Sequence, residues 1–206
     1  MKLYYSPGAC SLSPHIALLE AGLPYELVKV DIRAKKLENG EDYLKVNPKG
    51  QVPALGLDSG EIVTEGPVIV QIIADQATTK SPTLAPARDS FERYKLLEWL
   101  NFITSELHKN FGPMFAPALS DDTKAFFKDR VMARFRYVDS QLAGRDYLMG
   151  KQFTVADGYL FTMLTWADGM KFDLSAMPNL LAYKARVAAR PKVQEALKKE
   201  GLAQAA

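Results

Sequence analysis

The sequence predicts two domains of different class, an α/β domain over residues 1–77 and an all-helical domain over residues 90–206. Three observations support this division. The short apolar runs typical of strands all lie before residue 65, whereas apolar residues at helical spacing dominate the chain after residue 90. Between these regions, residues 78–89 are rich in Thr, Ser and Pro and hold little that packs, which is the composition of a linker.

Composition argues against several classes of partner. The 206 residues are 48% hydrophobic with a net charge of +2, and the basic stretch 124–136 alternates its charges with apolar residues as an amphipathic helix does. We therefore expect no nucleic acid partner. No apolar run approaches the roughly 20 residues of a membrane span, and the N-terminus lacks the apolar core of a signal peptide. With one cysteine and no His or Cys pair at zinc spacing, we expect a cytoplasmic protein with no membrane partner and no metal ion.

The residues around the only cysteine, Cys10, predict a strand, a turn and a helix. A short apolar run ends at Tyr5, Pro7-Gly8 breaks the chain, and apolar residues then recur at helical spacing up to Gly22, which is suited to end a helix. Cys10 thus precedes a helix N-terminus, where unpaired N–H groups and the helix dipole favour an anion. A thiol at such a place ionises more easily than a free one and can react as a thiolate. The alternative interpretation is a small buried hydrophobic residue.

The rest of the first domain has the order β-loop-β-β-α. Residues 25–32 have the alternation of a strand that lies parallel to the first, and residues 33–50 are mostly loop, with a short helix near Tyr43. Residues 51–55 and 61–64 predict two further strands joined by a hairpin turn. A helix follows, with Pro67 suited to its first position.

Glu65 stands directly before that helix. Free backbone N–H groups beside a carboxylate could hold the carboxylate and the ammonium of an amino acid together. An ordinary helix start with an acidic residue near the positive end of the dipole is the alternative.

The second domain is helical throughout. Apolar stripes predict helices over residues 90–110 and 124–142, a buried central helix that begins at Thr154, and two more over residues 179–190 and 192–199. Thr154 and Asp157 have the spacing of a capping box. Polar residues of the first of these helices share the side opposite its apolar stripe, and by themselves they indicate a solvated face; they are Asn101, Ser105 and His108.

Five strings in this order resemble the cytosolic glutathione transferases, and their details are similar to the bacterial beta class. The strings are MKLYYSPGACS at residues 1–11, NPKGQVPAL at 47–55, TEG at 64–66, ELHK at 106–109 and FTVAD at 153–157. The resemblance covers nearly the whole chain. It implies a thioredoxin-like domain that binds glutathione, a helical domain that supplies a hydrophobic substrate site, and a homodimer. Glutathione is then a co-substrate that is conjugated to hydrophobic electrophiles, with no prosthetic group.

The resemblance also implies the residues of the site. It implies a cis bond between Val52 and Pro53, so that the Val52 backbone pairs with the cysteinyl part of glutathione. The implied catalytic residues are Cys10, Ser11 and His108. The implied glutathione-binding residues are Cys10, Lys35, Gln51, Val52, Glu65, Gly66, Asn101, Ser105, Glu106, Leu107 and His108. For Asn101, Ser105 and His108 this replaces the interpretation as a solvated face. The wall that receives the second substrate is assigned to Phe111, Phe115 and Trp166.

Several alternatives remain open at this stage. Most classes of the family activate glutathione with a Tyr or Ser hydroxyl, so Tyr5 and Ser11 compete with Cys10 for that role. Cys10 could also take glutathione covalently, which would make the protein a monothiol reductase or peroxidase that works through a mixed disulfide. A third possibility, from another class, is a non-catalytic scaffold that binds hydrophobic ligands or a protein partner.

Overall fold

The computed structural model describes residues 1–77 and 83–202. Packing divides the chain into two compact units, the first formed by Met1–Ala85 with the C-terminal segment from Ala188, the second by Pro86–Val187. The predicted linker falls partly outside the described residues, at 78–82. Farther along it, Leu84 is buried, so this part of the linker packs more closely than its composition suggests.

The first unit contains a five-stranded sheet with the order β3-β2-β1-β4-β5. The strands are β1 (Lys2–Tyr5), β2 (Glu26–Asp31), β3 (Lys36–Leu37), β4 (Ala54–Gly56) and β5 (Ile62–Thr64). As predicted, β1 and β2 are parallel, with Leu3 opposite Leu27, and the β4–β5 hairpin is antiparallel. The two-residue strand β3 was not predicted, because so short an edge strand leaves no alternation in the sequence.

Among its described residues, the first unit has three α-helices: α1 (Leu12–Ala21), α2 (Gly66–Gln76) and α8 (Pro191–Lys199). The predicted end of α1 at Gly22 is correct, since Gly22 adopts the left-handed conformation with φ 65° and its N–H donates to Leu19 O. The apolar residues at helical spacing account for only part of the buried surface of α1. Helix α1 packs against both α2 and α8, which buries nearly every residue of α1, His15 included.

The second unit contains the remaining helices, α3 (Phe91–Phe102), α4 (Lys109–Phe111), α5 (Asp121–Gln141), α6 (Val155–Gly169) and α7 (Pro178–Ala188, whose last residue belongs to the first unit). The predicted helix over 90–110 is interrupted by a π-helical segment, Ile103–His108, that separates α3 from α4. Helix α6 is buried over most of its length, as predicted, and begins at the Thr154 and Asp157 capping box. Within the described residues, no helix combines the length and the apolar character needed to span a bilayer.

Candidate functional site

Cys10 lies in the turn between β1 and α1. Hydrogen bonds from Ala9 N to Ser6 O and from Leu12 N to Ala9 O, both 3.0 Å, form this turn and place Cys10 two residues before the first helical residue. The side chain is half-buried, and its Sγ donates to the backbone carbonyl of Val52 at 3.1 Å. The thiol therefore lies directly against the loop that precedes β4.

The two competing hydroxyls are less available than this thiol. The Ser11 side chain is fully buried, and its Oγ accepts from Ser6 N and donates to Ser6 O, both at 3.2 Å. Tyr5 is only 9% exposed, and burial, with a further contribution from Glu200, raises the pKa of its phenol. A raised pKa makes Tyr5 a weaker hydrogen-bond donor to a thiolate. Ser11 closes the turn, and of the three candidates Cys10 has the most accessible reactive group.

Two buried side chains hold the loop that contacts Cys10. The Gln51 carbonyl accepts from Tyr43 Oη at 2.8 Å and from Asn47 Nδ2 at 2.7 Å. Burial raises the pKa of Tyr43 to about 12, so its hydroxyl keeps the proton that it donates. The Val52–Pro53 peptide bond is cis, as the resemblance implies. Tyr43 and Asn47 were not predicted as supporting residues, although a lone aromatic residue within the polar stretch 33–50 was a usable signal.

Lys35 packs along the same loop. Its Nζ donates to Gly50 O at 2.7 Å, and its φ of 57° is left-handed. Gly50 has a φ of 63°, and a Cβ added there would lie 3.1 Å from Lys35 Cδ. Glycine at position 50 therefore allows the lysine side chain to approach the backbone closely.

Glu65 begins α2 with an unusual backbone. Its φ of 71° and ψ of 112° lie outside the regions that L-residues prefer, and its carbonyl accepts from Val68 N and Ile69 N. The exposed Glu65 carboxylate pairs with Lys49 Nζ at 2.6 Å, and the same ammonium donates to Thr64 Oγ1. Gly66 is the first helical residue, so its amide belongs to the set that has no partner inside the helix.

Two of the binding residues predicted in the first unit, Lys35 and Glu65, have a backbone conformation with positive φ. Three non-glycine residues of the described chain have positive φ, namely Lys35, Glu65 and Lys171. The first two are predicted to bind glutathione. Residues held in sparsely populated conformations cluster at functional sites, where the surrounding structure fixes them.

The π-helical segment carries four of the five glutathione-binding residues predicted in the second unit. Local hydrogen bonds from Thr104 Oγ1 to Leu100 O and from Ser105 Oγ to Asn101 O occupy carbonyls that precede the segment. Asn101 and Ser105 are exposed, as either interpretation requires. Such segments occur frequently at functional sites, and no pattern in the sequence predicted this one.

Two predicted residues of the segment have partners inside the second unit. The Glu106 carboxylate accepts from Arg134 Nε at 2.6 Å. Leu107 is fully buried, so its side chain belongs to the helical core.

His108 lies among aromatic rings. Its Nδ1 is 2.6 Å from Tyr159 Oη, and its ring centroid is 5.1 Å from that of Trp166. Trp166 in turn makes edge contacts with Phe111 at 5.5 Å and Phe115 at 5.1 Å. The structure thus brings together the three residues predicted for the hydrophobic wall. Phe111 is buried, whereas Phe115 is 54% exposed.

Comparison with known proteins identifies the family. Models of the glutathione S-transferase N-terminal domain and C-terminal domain match residues 8–76 and 105–200. Glutathione S-transferase GstA of Escherichia coli O157:H7 is 48% identical over 202 residues, which cover 98% of this chain and 100% of that protein.

Solved structures agree with this result. A sphingomonad glutathione S-transferase in complex with glutathione is 53% identical with a TM-score of 0.94, and the match covers 98% of this chain and 100% of that one. The bacterial beta class glutathione S-transferase of Sphingomonas chungbukensis is 49% identical with a TM-score of 0.94 and the same coverage. The predicted fold, a thioredoxin-like α/β unit with a helical unit, is confirmed. The chain belongs to the glutathione S-transferase family as an enzyme of the bacterial beta class, with glutathione as its co-substrate.

Proposed function

We propose that this enzyme conjugates reduced glutathione to hydrophobic electrophiles with Cys10 at the thiol site. One observation carries the assignment to Cys10: its Sγ donates to Val52 O at 3.1 Å. The Val52 backbone is where the resemblance places the cysteinyl part of glutathione. A glutathione bound there would bring its sulfur next to Cys10.

The chemistry that follows is a nucleophilic substitution. The glutathione thiolate attacks the electrophilic carbon of an aryl halide, a carbon–sulfur bond forms, and halide leaves with the bonding electrons. Cys10 stabilises the glutathione thiolate by hydrogen bonding. Because both substrates are bound at one site, the bimolecular reaction becomes effectively unimolecular, which lowers its entropic barrier. Glu65 and the Gly66 amide hold the γ-glutamyl end, and Lys35 pairs with the glycine carboxylate.

The second substrate binds to the aromatic cluster of the helical unit. We define this cluster as Phe111, Phe115 and Trp166, with His108 at its edge. The exposure of Phe115 gives a planar apolar ligand access to the cluster, and edge contacts among the rings hold its shape. Asn101, Ser105, Glu106, Leu107 and His108 remain proposed contacts of glutathione.

A mixed disulfide at Cys10 is the second candidate, favoured by the partial exposure of a lone cysteine at a helix start. The Cys10 thiolate attacks the glutathione sulfur of a small mixed disulfide, a protein–glutathione disulfide forms, and the thiolate of the small molecule leaves. A second glutathione thiolate then attacks this disulfide, restores the Cys10 thiolate and forms oxidised glutathione. A working thiol of this kind fits a cytoplasmic location, where thiols are kept reduced.

A homodimer is also proposed. Phe91 and Tyr94 on α3 are 68% and 64% exposed, and their ring centroids are 6.4 Å apart. An aromatic pair this exposed is unusual at a monomer surface and suits contact with a second copy of the chain.

Two assays test the proposed function together. The protein is expected to be retained on immobilised glutathione, to elute with free glutathione, and to conjugate a generic aryl halide. Failure to be retained and failure to conjugate would together favour the alternative of a non-catalytic scaffold. Retention without conjugation would favour the disulfide chemistry, which reduction of a small mixed disulfide by glutathione measures directly.

Glu65→Gln tests the γ-glutamyl contact. The substitution keeps the side-chain length but removes the charge that would pair with the ammonium of glutathione, so we expect the KM for glutathione to rise roughly tenfold. The kcat should change less, because the reacting sulfur of glutathione lies next to Cys10 and not at the γ-glutamyl end that Glu65 holds. Glu61→Gln is the matched control, since Glu61 is exposed and bonds to Ser59 on the neighbouring hairpin. Equal KM values in the two variants would contradict the assignment.

A further inference from the structure

The structure assigns to Tyr159 the role of a positioning residue that holds His108 in the tautomer with its proton on Nε2. This inference deepens the proposed function, on which it rests for the place of His108 at the thiol site. It bears on whether the imidazole removes a proton from glutathione or donates a hydrogen bond to its thiolate.

Tyr159 is a rigid support for this role. It lies near the start of α6 and is only 3% exposed, so neighbouring helices fix its ring. The ring meets the His108 imidazole edge-on, with centroids 5.8 Å apart and planes at 88°. This geometry directs the phenol oxygen to one nitrogen of the imidazole, Nδ1, at 2.6 Å.

The direction of that hydrogen bond follows from the chemistry of its two partners. A phenol O–H is a much stronger acid than the N–H of a neutral imidazole, and an unprotonated imidazole nitrogen is a strong acceptor. A short bond between them is therefore strongest when Tyr159 donates to Nδ1. Thr104 Oγ1 is a poor competitor for the Tyr159 proton, because it lies 3.5 Å from Tyr159 Oη whereas His108 Nδ1 lies at 2.6 Å.

The consequence concerns the second nitrogen. When Nδ1 accepts a hydrogen bond, the single proton of the neutral imidazole must lie on Nε2. His108 is then a hydrogen-bond donor in its neutral form as well as in its charged form. A fixed donor suits an anionic thiolate, which it stabilises without taking a proton. His108 thus acts as a donor at the thiol site, and Tyr159 acts through it.

Nitrogen NMR of the wild-type protein tests the tautomer. The chain has two histidines, His15 and His108, and a His108→Gln variant assigns their imidazole signals. At pH 8 the wild type is expected to show the His108 proton on Nε2 and an Nδ1 shift typical of a bonded acceptor. Tyr159→Phe should move Nδ1 to the shift of an unbonded acceptor. Tyr25→Phe is the matched control, because Tyr25 Oη contacts the Nε2 of His15 at 3.0 Å, so it should move the His15 signals alone.

Kinetics give a readout that a merely structural role would not produce. In Tyr159→Phe we expect kcat/KM to fall roughly fivefold at pH 8, the factor of one hydrogen bond. The loss should fall on kcat more than on the KM for glutathione, because the fixed donor stabilises the thiolate that reacts. A His108 proton on Nδ1 in the wild type, or a loss that falls on the KM for glutathione alone, would overturn the inference. Absence of conjugation in the wild type would instead overturn the proposed function, and the NMR result would still decide the tautomer.

Discussion

Asp157→Ala is expected to lower the free energy of unfolding by about 4 kcal/mol, the largest effect of any single substitution considered for this protein. The Asp157 carboxylate is fully buried and accepts from Leu148 N at 2.9 Å, from Thr154 N at 2.7 Å and Oγ1 at 3.0 Å, and from Tyr183 Oη at 3.0 Å. Burial raises its pKa to about 6, so at pH 7.5 the group is ionised and accepts all four bonds. Alanine would leave these donors buried without their acceptor.

Thermal unfolding at pH 7.5 measures this effect. For a chain of 206 residues we expect the Tm to fall by about 10 °C. Asp173→Ala is the control, because Asp173 caps Ser175 N at 3.0 Å from an exposed position and should change the Tm little. Equal shifts in the two variants would show that the buried capping box does not stabilise α6 as described.

Glu200→Ala is expected to have the second largest effect, a loss of about 3 kcal/mol together with slower chemistry at Cys10. The Glu200 carboxylate is fully buried, with one oxygen 2.8 Å from His15 Nδ1 and the other accepting from Gly8 N at 3.0 Å. Gly8 lies two residues before Cys10. The residue that follows α8 therefore fixes both α1 and the turn that carries the thiol.

The rate at which an aromatic disulfide reagent reacts with the protein measures the expected slower chemistry at Cys10, because the chain has one cysteine. Glu200→Gln should restore most of the stability, since an amide oxygen can still accept from Gly8 N. Glu195→Ala on the same helix is the matched control: Glu195 is only partly buried and pairs with Lys192 and Lys199. If Glu200→Ala had the stability and thiol reactivity of the Glu195→Ala protein, Glu200 would have no role in holding the turn.

Features encoded by neighbouring residues were predicted correctly. Pro7-Gly8 and Gly22 bracket the turn and helix around Cys10, and the Thr154 and Asp157 spacing marks the start of α6. These signals depend on backbone conformations that only a few residue types favour. For that reason the order of the longer strands and helices could be predicted from the sequence.

Features that depend on distant partners were not predicted. Glu200 and His15 are separated by 185 positions, so no local pattern connects them. Tyr159 and His108 lie on different helices, and their hydrogen bond depends on how α6 packs against the π-helical segment. The positive φ of Lys35 and Glu65 was equally hidden, because neither residue type favours that conformation.

The central claim, that Cys10 lies at the glutathione sulfur, is tested most directly by intact mass after incubation with oxidised glutathione. Wild type, Cys10→Ala and Cys10→Ser are compared, and each is then assayed for conjugation of an aryl halide. We predict that the wild type gains one glutathione, that reduced glutathione removes it, and that both variants gain none and conjugate more slowly. A wild type that gains no glutathione, with variants that conjugate at the wild-type rate, would contradict the claim and place the thiol chemistry away from Cys10.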